Sequence, residues 1–156
     1  MIWHKKHVIK HFVFIWLALI GGLKIVDTLL IRNIQVPGTC SLYLEHLETV
    51  FHLFFECYYS FSNLNAIVPG VQSFLFRPNI LQLFDWVNGA HNGKHEVNYF
   101  YKLVIYCVIY FIWKERNNRR FGNTTQCHTT LLLHIKRVLF EKLLKWKNAM
   151  DLLEKL

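Results

Sequence analysis

The sequence lacks several motifs that would assign it to a defined class of enzyme or secreted protein. It has no glycine-rich phosphate-binding loop and no Gly-x-Ser-x-Gly nucleophile turn. Its four cysteines are widely spaced and include no Cys-x₂-Cys pair, so a dense disulfide framework is excluded and nothing requires an oxidising compartment. We therefore predict that the protein is not an enzyme, and we expect an intracellular location.

Charged residues are also scarce. They make up 18% of the chain, whereas hydrophobic residues reach 53% and aromatic residues 16%, a composition that excludes intrinsic disorder. The formal net charge is nevertheless +8, which favours a polyanionic partner such as nucleic acid or an acidic membrane surface. The alternative is that lysine and arginine only keep an apolar chain soluble.

No apolar run is as long as the roughly 20 residues that a membrane-spanning helix needs. Two runs come nearest, at 12–23 and 97–113, and both are shorter. We therefore predict buried helices at these positions. The alternative is a small helical membrane protein anchored by residues 12–31 and 97–113.

Apolar residues recur at helical spacing through most of the chain, which predicts an all-α fold. Two helices are predicted on either side of Gly21-Gly22, and an aromatic helix is predicted over 48–65. A short helix over 80–87, capped by Asn79, and a central helix from 97 to about 120 follow. The last predicted helix is one amphipathic C-terminal helix of about 25 to 30 residues. The apolar side of that last helix is predicted to carry Leu132, Ile135, Leu139, Leu143, Trp146, Met150 and Leu153.

The stretch from Cys40 to Cys57 contains a pattern of metal-ligating residues. His52-x₄-Cys57 has the spacing of the second half of a small zinc site, and Cys40 precedes it. A complete site would have a second cysteine at position 43, where this chain has Tyr43. His46 is the nearest substitute, and Glu45 is a less suitable one, so the predicted zinc ligands are Cys40, His52, Cys57 and His46.

The amino-acid sequence around this pattern resembles the zinc-binding domain that follows the reverse transcriptase in plant non-LTR (LINE-type) retrotransposon polyproteins. The matching residues cover about 7 to 122 in order: Trp16-Leu17-Ala18, Gly22-Leu23-Lys24, Asp27, Leu29, Ile34, Cys40, Glu48-Thr49, His52-Leu53-Phe54, Cys57 and Ile112-Trp113-Lys114-Glu115-Arg116-Asn117. The chain departs from that family at Gly21, Ile25, Thr28, Tyr43 and Leu64. These departures indicate a degenerate copy.

The resemblance implies a structural zinc ion, a neighbouring reverse transcriptase as partner, and a role in holding RNA or DNA. The paired aspartates of the polymerase itself are absent. The densest basic cluster, Lys114, Arg116, Arg119 and Arg120, is the predicted nucleic-acid contact. The remaining alternative is a decayed transposon fragment with no selected function.

Three segments are predicted. Residues 7–65 form the zinc-binding-like domain, residues 66–96 a loop and short helix that act as a linker, and residues 97–156 a C-terminal two-helix region.

Overall fold

The computed structural model describes residues 8–68, 70–73, 78–90, 95–122 and 124–156. Within these ranges the chain forms α-helices and no β-strand, which confirms the all-α fold class. The helices are α1 (Ile9–Leu19), α2 (Val26–Ile31), α3 (Tyr58–Ile67), α4 (Ile80–Ala90), α5 (His95–Phe121), α6 (His128–Leu143) and α7 (Ala149–Leu153), with a π-helical turn at His52–Glu56 and a 3₁₀ turn at Val71–Ser73.

Helix α5 is the central element of the fold. Every residue from 100 to 112 is buried, and helices α1, α3, α4 and α6 all pack against α5. An apolar surface on all sides of a helix must be covered by neighbours on all sides, which explains this arrangement. The predicted buried helix over 97–113 is thus confirmed.

Within the part of the chain that the structure describes, no helix combines the length and the hydrophobicity that crossing a bilayer requires. The segments 12–31 and 97–113, considered above as anchors, lie in α1, α2 and α5.

Local sequence signals account for several helix ends. Helix α1 ends just before Gly21, whose φ of +67° is strained for any residue with a side chain. At the start of α4, the Asn79 side chain accepts a hydrogen bond from the Gln82 amide, and the Gln82 side chain accepts one from the Asn79 amide. This reciprocal pair is a capping box, and the predicted cap is confirmed.

The C-terminal prediction of one long helix is wrong. Helix α6 ends at Leu143, and a turn at 144–148 separates it from α7. The turn buries Trp146, whose amide donates to the Leu143 carbonyl at 2.8 Å. Because the chain folds back there, Lys136 of α6 contacts the Leu156 carbonyl. The apolar register shifts with the break, so Met150 is exposed and Leu152 is buried.

One hydrophobic core contains residues from all three predicted segments, for example Phe54, Leu83 and Val104. The division of the chain at 65 and 96 stays a prediction.

A buried histidine in α1 makes stability depend on pH. His11 is 5% exposed, its ring stacks on Tyr110, and its Nδ1 atom has no hydrogen-bond partner. Burial, assisted by the charges of Lys10 and Lys142, lowers the pKa of His11 from 6.5 to about 4.

We expect the fold to lose stability as the pH falls from about 6.5 to about 4. In that window the unfolded chain takes up a proton at His11 and the folded chain does not, which costs on the order of 3 kcal/mol. Urea unfolding measured at pH 7 and pH 4 should show a smaller loss of unfolding free energy in a His11→Phe variant than in the wild-type protein. An equal loss in both proteins would contradict this account.

Candidate metal centre

A π-helical turn places the second half of the predicted zinc site. The sequence predicted one continuous helix over 48–65, and this is wrong, because the backbone widens at His52–Glu56 and becomes extended at Cys57. In a regular α-helix, residues five apart face directions about 140° apart. Here the Cys57 amide donates to the His52 carbonyl at 2.8 Å, the five-residue bond of a π turn. His52 and Cys57 are thereby brought to the same side of the chain.

Three of the four predicted ligands meet in space. The ligand atoms of Cys40, His52 and Cys57, here called the metal triad, all lie within 4.8 Å of one another, and all three residues are buried. The Cys40 and Cys57 sulfurs are 3.9 Å apart. Two thiolates on a tetrahedral zinc ion, with Zn–S near 2.3 Å, would be separated by about 3.8 Å. The triad therefore fits a zinc ion.

His52 also has the polar environment of a metal ligand. Its Nε2 atom is buried and has no hydrogen-bond partner, a situation that costs free energy unless the atom has another use. Its Nδ1 atom lies 3.6 Å from the Glu56 carboxylate.

Backbone amides favour negative charge on the two sulfurs. The pKa of Cys57 is lowered to about 6, first by the hydrogen bond from the Cys40 thiol and then by the amides of Ser60 and Tyr59, against the opposing effect of burial. The Cys40 thiol, as the donor and in its buried position, has its pKa raised. Zinc binds the thiolate, so the lowered pKa of Cys57 suits that residue to ligation.

The fourth predicted ligand, His46, lies beside the triad rather than within it. Its side chain is exposed, and its ring centroid is 5.4 Å from that of His52. Two imidazoles on one tetrahedral zinc ion would have centroids about 5 Å apart. The His46 carbonyl accepts the Cys40 amide at 2.8 Å, which holds this part of the chain close to the triad. Tyr43 is exposed and packs near the Tyr58 ring at 5.6 Å.

A buried ion pair joins this region to α5, and sequence reasoning missed it. The Glu48 carboxylate accepts hydrogen bonds from Arg116, from Arg120 and from the Val26 amide. The side chains of Glu48 and Arg116 are both 0% exposed. Glu48 and Arg116 each lie in a motif used for the resemblance above. The presence of both motifs in one chain was therefore the sequence feature from which their contact could have been predicted.

The four cations predicted to touch nucleic acid have different surroundings. Lys114 is exposed, whereas the Arg116 guanidinium is enclosed with Glu48. Arg119 donates to the Leu42 and Gln126 carbonyls, and Arg120 donates to the Pro37 and Thr39 carbonyls. The three arginines thus tie the knuckle loop, defined as residues 37–48, to α5. None of these contacts tests nucleic-acid binding, which stays a prediction.

No curated protein and no solved structure gives a significant match to the chain. Residues 1–62 match the family described as zinc-binding in reverse transcriptase, which confirms the resemblance to a reverse transcriptase zinc-binding domain over that part of the chain.

Proposed function

We propose that the chain is a zinc-stabilised, non-catalytic accessory module of retrotransposon origin that binds nucleic acid. The observation that supports this most strongly is the metal triad, whose sulfur separation and unpartnered His52 nitrogen suit one zinc ion. The family match over residues 1–62 agrees with a zinc-binding module of reverse transcriptase origin. The zinc, when bound, would supply structural cross-linking rather than reactivity.

We propose that His46 completes the coordination in place of the missing cysteine. The set Cys40, His46, His52 and Cys57 would be Cys₂His₂, a common structural combination. The support is the spacing of the two imidazole rings. On this proposal the copy is degenerate at Tyr43, but its metal site is retained. A plant LINE-type ancestor and a reverse transcriptase partner are part of the same proposal.

For nucleic acid, we assign the first phosphate contact to Lys114. It is exposed near the end of α5 and belongs to a chain with a net charge of +8. Arg119 and Arg120 lie on the same helix within two turns of it, but their side chains are only 16% and 6% exposed. Arg116 contributes through its bond to Glu48, because its guanidinium is enclosed. RNA and single-stranded DNA share the phosphate chemistry that these cations would recognise.

The test is fluorescence anisotropy of labelled single-stranded RNA and DNA, titrated with zinc-loaded protein at several salt concentrations. We expect affinity to fall steeply with salt, and Lys114→Ala to weaken binding uniformly and to reduce the salt slope by about 1. Lys24→Ala, an exposed lysine outside α5, is the matched control. No binding at low salt, or equal effects of the two variants, would contradict the assignment.

A further inference from the structure

The two cysteines of the metal triad lie close enough to react with each other. The Cys40 and Cys57 sulfurs are 3.9 Å apart, and both side chains are buried. A disulfide bond has a sulfur–sulfur length of about 2.05 Å, so the two sulfurs need to approach each other by only about 2 Å more. Of the other cysteines, Cys107 is buried in α5 and Cys127 is exposed at the start of α6. The sulfur contact therefore singles out Cys40 and Cys57 as a pair.

Backbone hydrogen bonds hold both members of the pair in place. The Cys40 amide donates to the His46 carbonyl at 2.8 Å, and the Cys57 amide donates to the His52 carbonyl at 2.8 Å. The Cys57 carbonyl in turn accepts the Phe61 amide at 2.9 Å, in the first turn of α3. These bonds use backbone atoms alone, so the approach of the two sulfurs does not require a metal ion.

We propose that Cys40 and Cys57 form a disulfide when zinc is absent and a peroxide oxidant is present, so that zinc and the disulfide are alternative cross-links of the same two residues. Zinc binds cysteine as the thiolate, and a disulfide sulfur carries no such charge, so the oxidised chain does not hold the ion. The exclusion of zinc rests on the zinc site proposed above, whereas formation of the disulfide does not. Either cross-link joins the knuckle loop to the start of α3.

The oxidation consumes one hydrogen peroxide for each disulfide. The first sulfur, as thiolate, attacks one peroxide oxygen, the oxygen–oxygen bond breaks, and the departing hydroxide takes up a proton to become water. The second sulfur then attacks the sulfenic acid so formed. The sulfur–sulfur bond forms, the sulfur–oxygen bond breaks, and a second water leaves with the proton of the second thiol. The pair loses two electrons and two protons, so the mass of the chain falls by about 2 Da.

The test is the intact mass and the zinc content of the full chain carrying Cys127→Ala, treated with hydrogen peroxide after a chelator has removed zinc. This background removes a competing target, because Cys127 is exposed and hydrogen bonds with Thr129 and Thr130 lower its pKa to about 7. We expect a loss of about 2 Da, no zinc bound by the oxidised chain, and recovery of zinc binding after a phosphine reductant. In the zinc-loaded chain the disulfide should form at least ten-fold more slowly, because the metal occupies both sulfurs.

Digestion after glutamate locates the bond. Glu45, Glu48 and Glu56 lie between the two cysteines, whereas no lysine or arginine does. Cleavage after glutamate therefore separates the two cysteines into different fragments unless a disulfide joins them. We expect the joined fragments from the oxidised chain and not from a Cys40→Ala variant. If that variant does not fold, the same digest before and after the phosphine reductant gives the answer.

Several results would overturn the proposal. They are a chelated chain that keeps both thiols, oxidation that ends at sulfinic acid, and a disulfide that joins Cys40 to Cys107. An oxidised chain that binds zinc as tightly as the reduced chain overturns it as well. A reduced chain that binds no zinc but forms the disulfide contradicts the zinc site proposed above and supports the redox pair, so the two failures are distinguishable.

Discussion

An Arg116→Ala variant is expected to lose about 3 to 5 kcal/mol of unfolding free energy, because it leaves a buried carboxylate without its main partner. The Glu48 and Arg116 side chains are both fully buried, and the guanidinium Nε contacts both carboxylate oxygens at 3.1 Å. Truncation leaves the Glu48 carboxylate with only Arg120 and the Val26 amide. Leaving a buried carboxylate without its main partner lowers the unfolding free energy by several kcal/mol. An intact buried pair, by contrast, stabilises a protein little or not at all compared with apolar residues of similar size.

Urea unfolding of zinc-loaded protein measures this loss. The matched control is Arg137→Ala, which also breaks an arginine–glutamate pair, but one whose side chains are 80% and 62% exposed. Exposed pairs of this kind contribute about 0.3 to 0.5 kcal/mol. The double variant Glu48→Gln/Arg116→Met should recover part of the loss, since the buried carboxylate charge is then removed, although Arg120 also loses its acidic partner. If Arg116→Ala costs no more than Arg137→Ala, the ion pair does not hold the knuckle loop to α5.

The second large effect is expected from removing a metal ligand. Cys57→Ala takes away one of two thiolates of the metal triad, and the zinc-loaded stability should fall by several kcal/mol, since zinc binding free energy is added to folding free energy in structural sites. A strong chelator should lower the melting temperature of the wild-type protein to that of the variant. The variant itself should not respond to the chelator.

Cys127→Ala is the control for this experiment. Cys127 is exposed at the start of α6 and lies outside the metal triad, so its removal should change neither stability nor the response to chelator. A wild-type protein whose melting temperature ignores the chelator would mean that the aromatic core holds this region without metal. The interpretation as a decayed remnant would then be favoured.

The all-α class and the grouping of Cys40, His52 and Cys57 followed from local patterns, and for that reason they could be predicted. The buried part of α5 is a run of consecutive, mostly apolar residues, which the sequence shows directly. The capping box of Asn79 and Gln82 spans only four positions. The triad could be proposed because ligand chemistry restricts the choice to cysteine and histidine. Its closure in space, however, depends on the π turn at His52–Glu56, and apolar periodicity does not distinguish that turn from an α-helix.

The features that sequence reasoning missed depend on distant residues. Glu48 and Arg116 are 68 positions apart. From its local sequence alone, Arg116 is predicted to be one more cation on the surface. The break between α6 and α7 is set by the burial of Trp146, since no glycine or proline marks it. In both cases tertiary packing determines the structure, so these features cannot be predicted from a window of neighbouring residues.

The ion pair also bears on the extent of the zinc-binding module. The family match ends at residue 62, yet the knuckle loop is held by three arginines of α5. Helix α5 in turn is buried by α1, α3, α4 and α6. A fragment that ends near residue 65 would expose Glu48 without its partner. These ion pairs and hydrogen bonds therefore join the loop that carries Cys40 to α5.

The central claim, a zinc ion held by Cys40, His52, Cys57 and His46, is tested most directly by zinc content together with X-ray absorption at the zinc edge on purified wild-type protein. The account predicts one zinc per chain with two sulfur and two nitrogen ligands, and one nitrogen fewer from histidine in a His46→Ala variant. Absence of zinc, or a bound ion whose ligands include no sulfur, would contradict it.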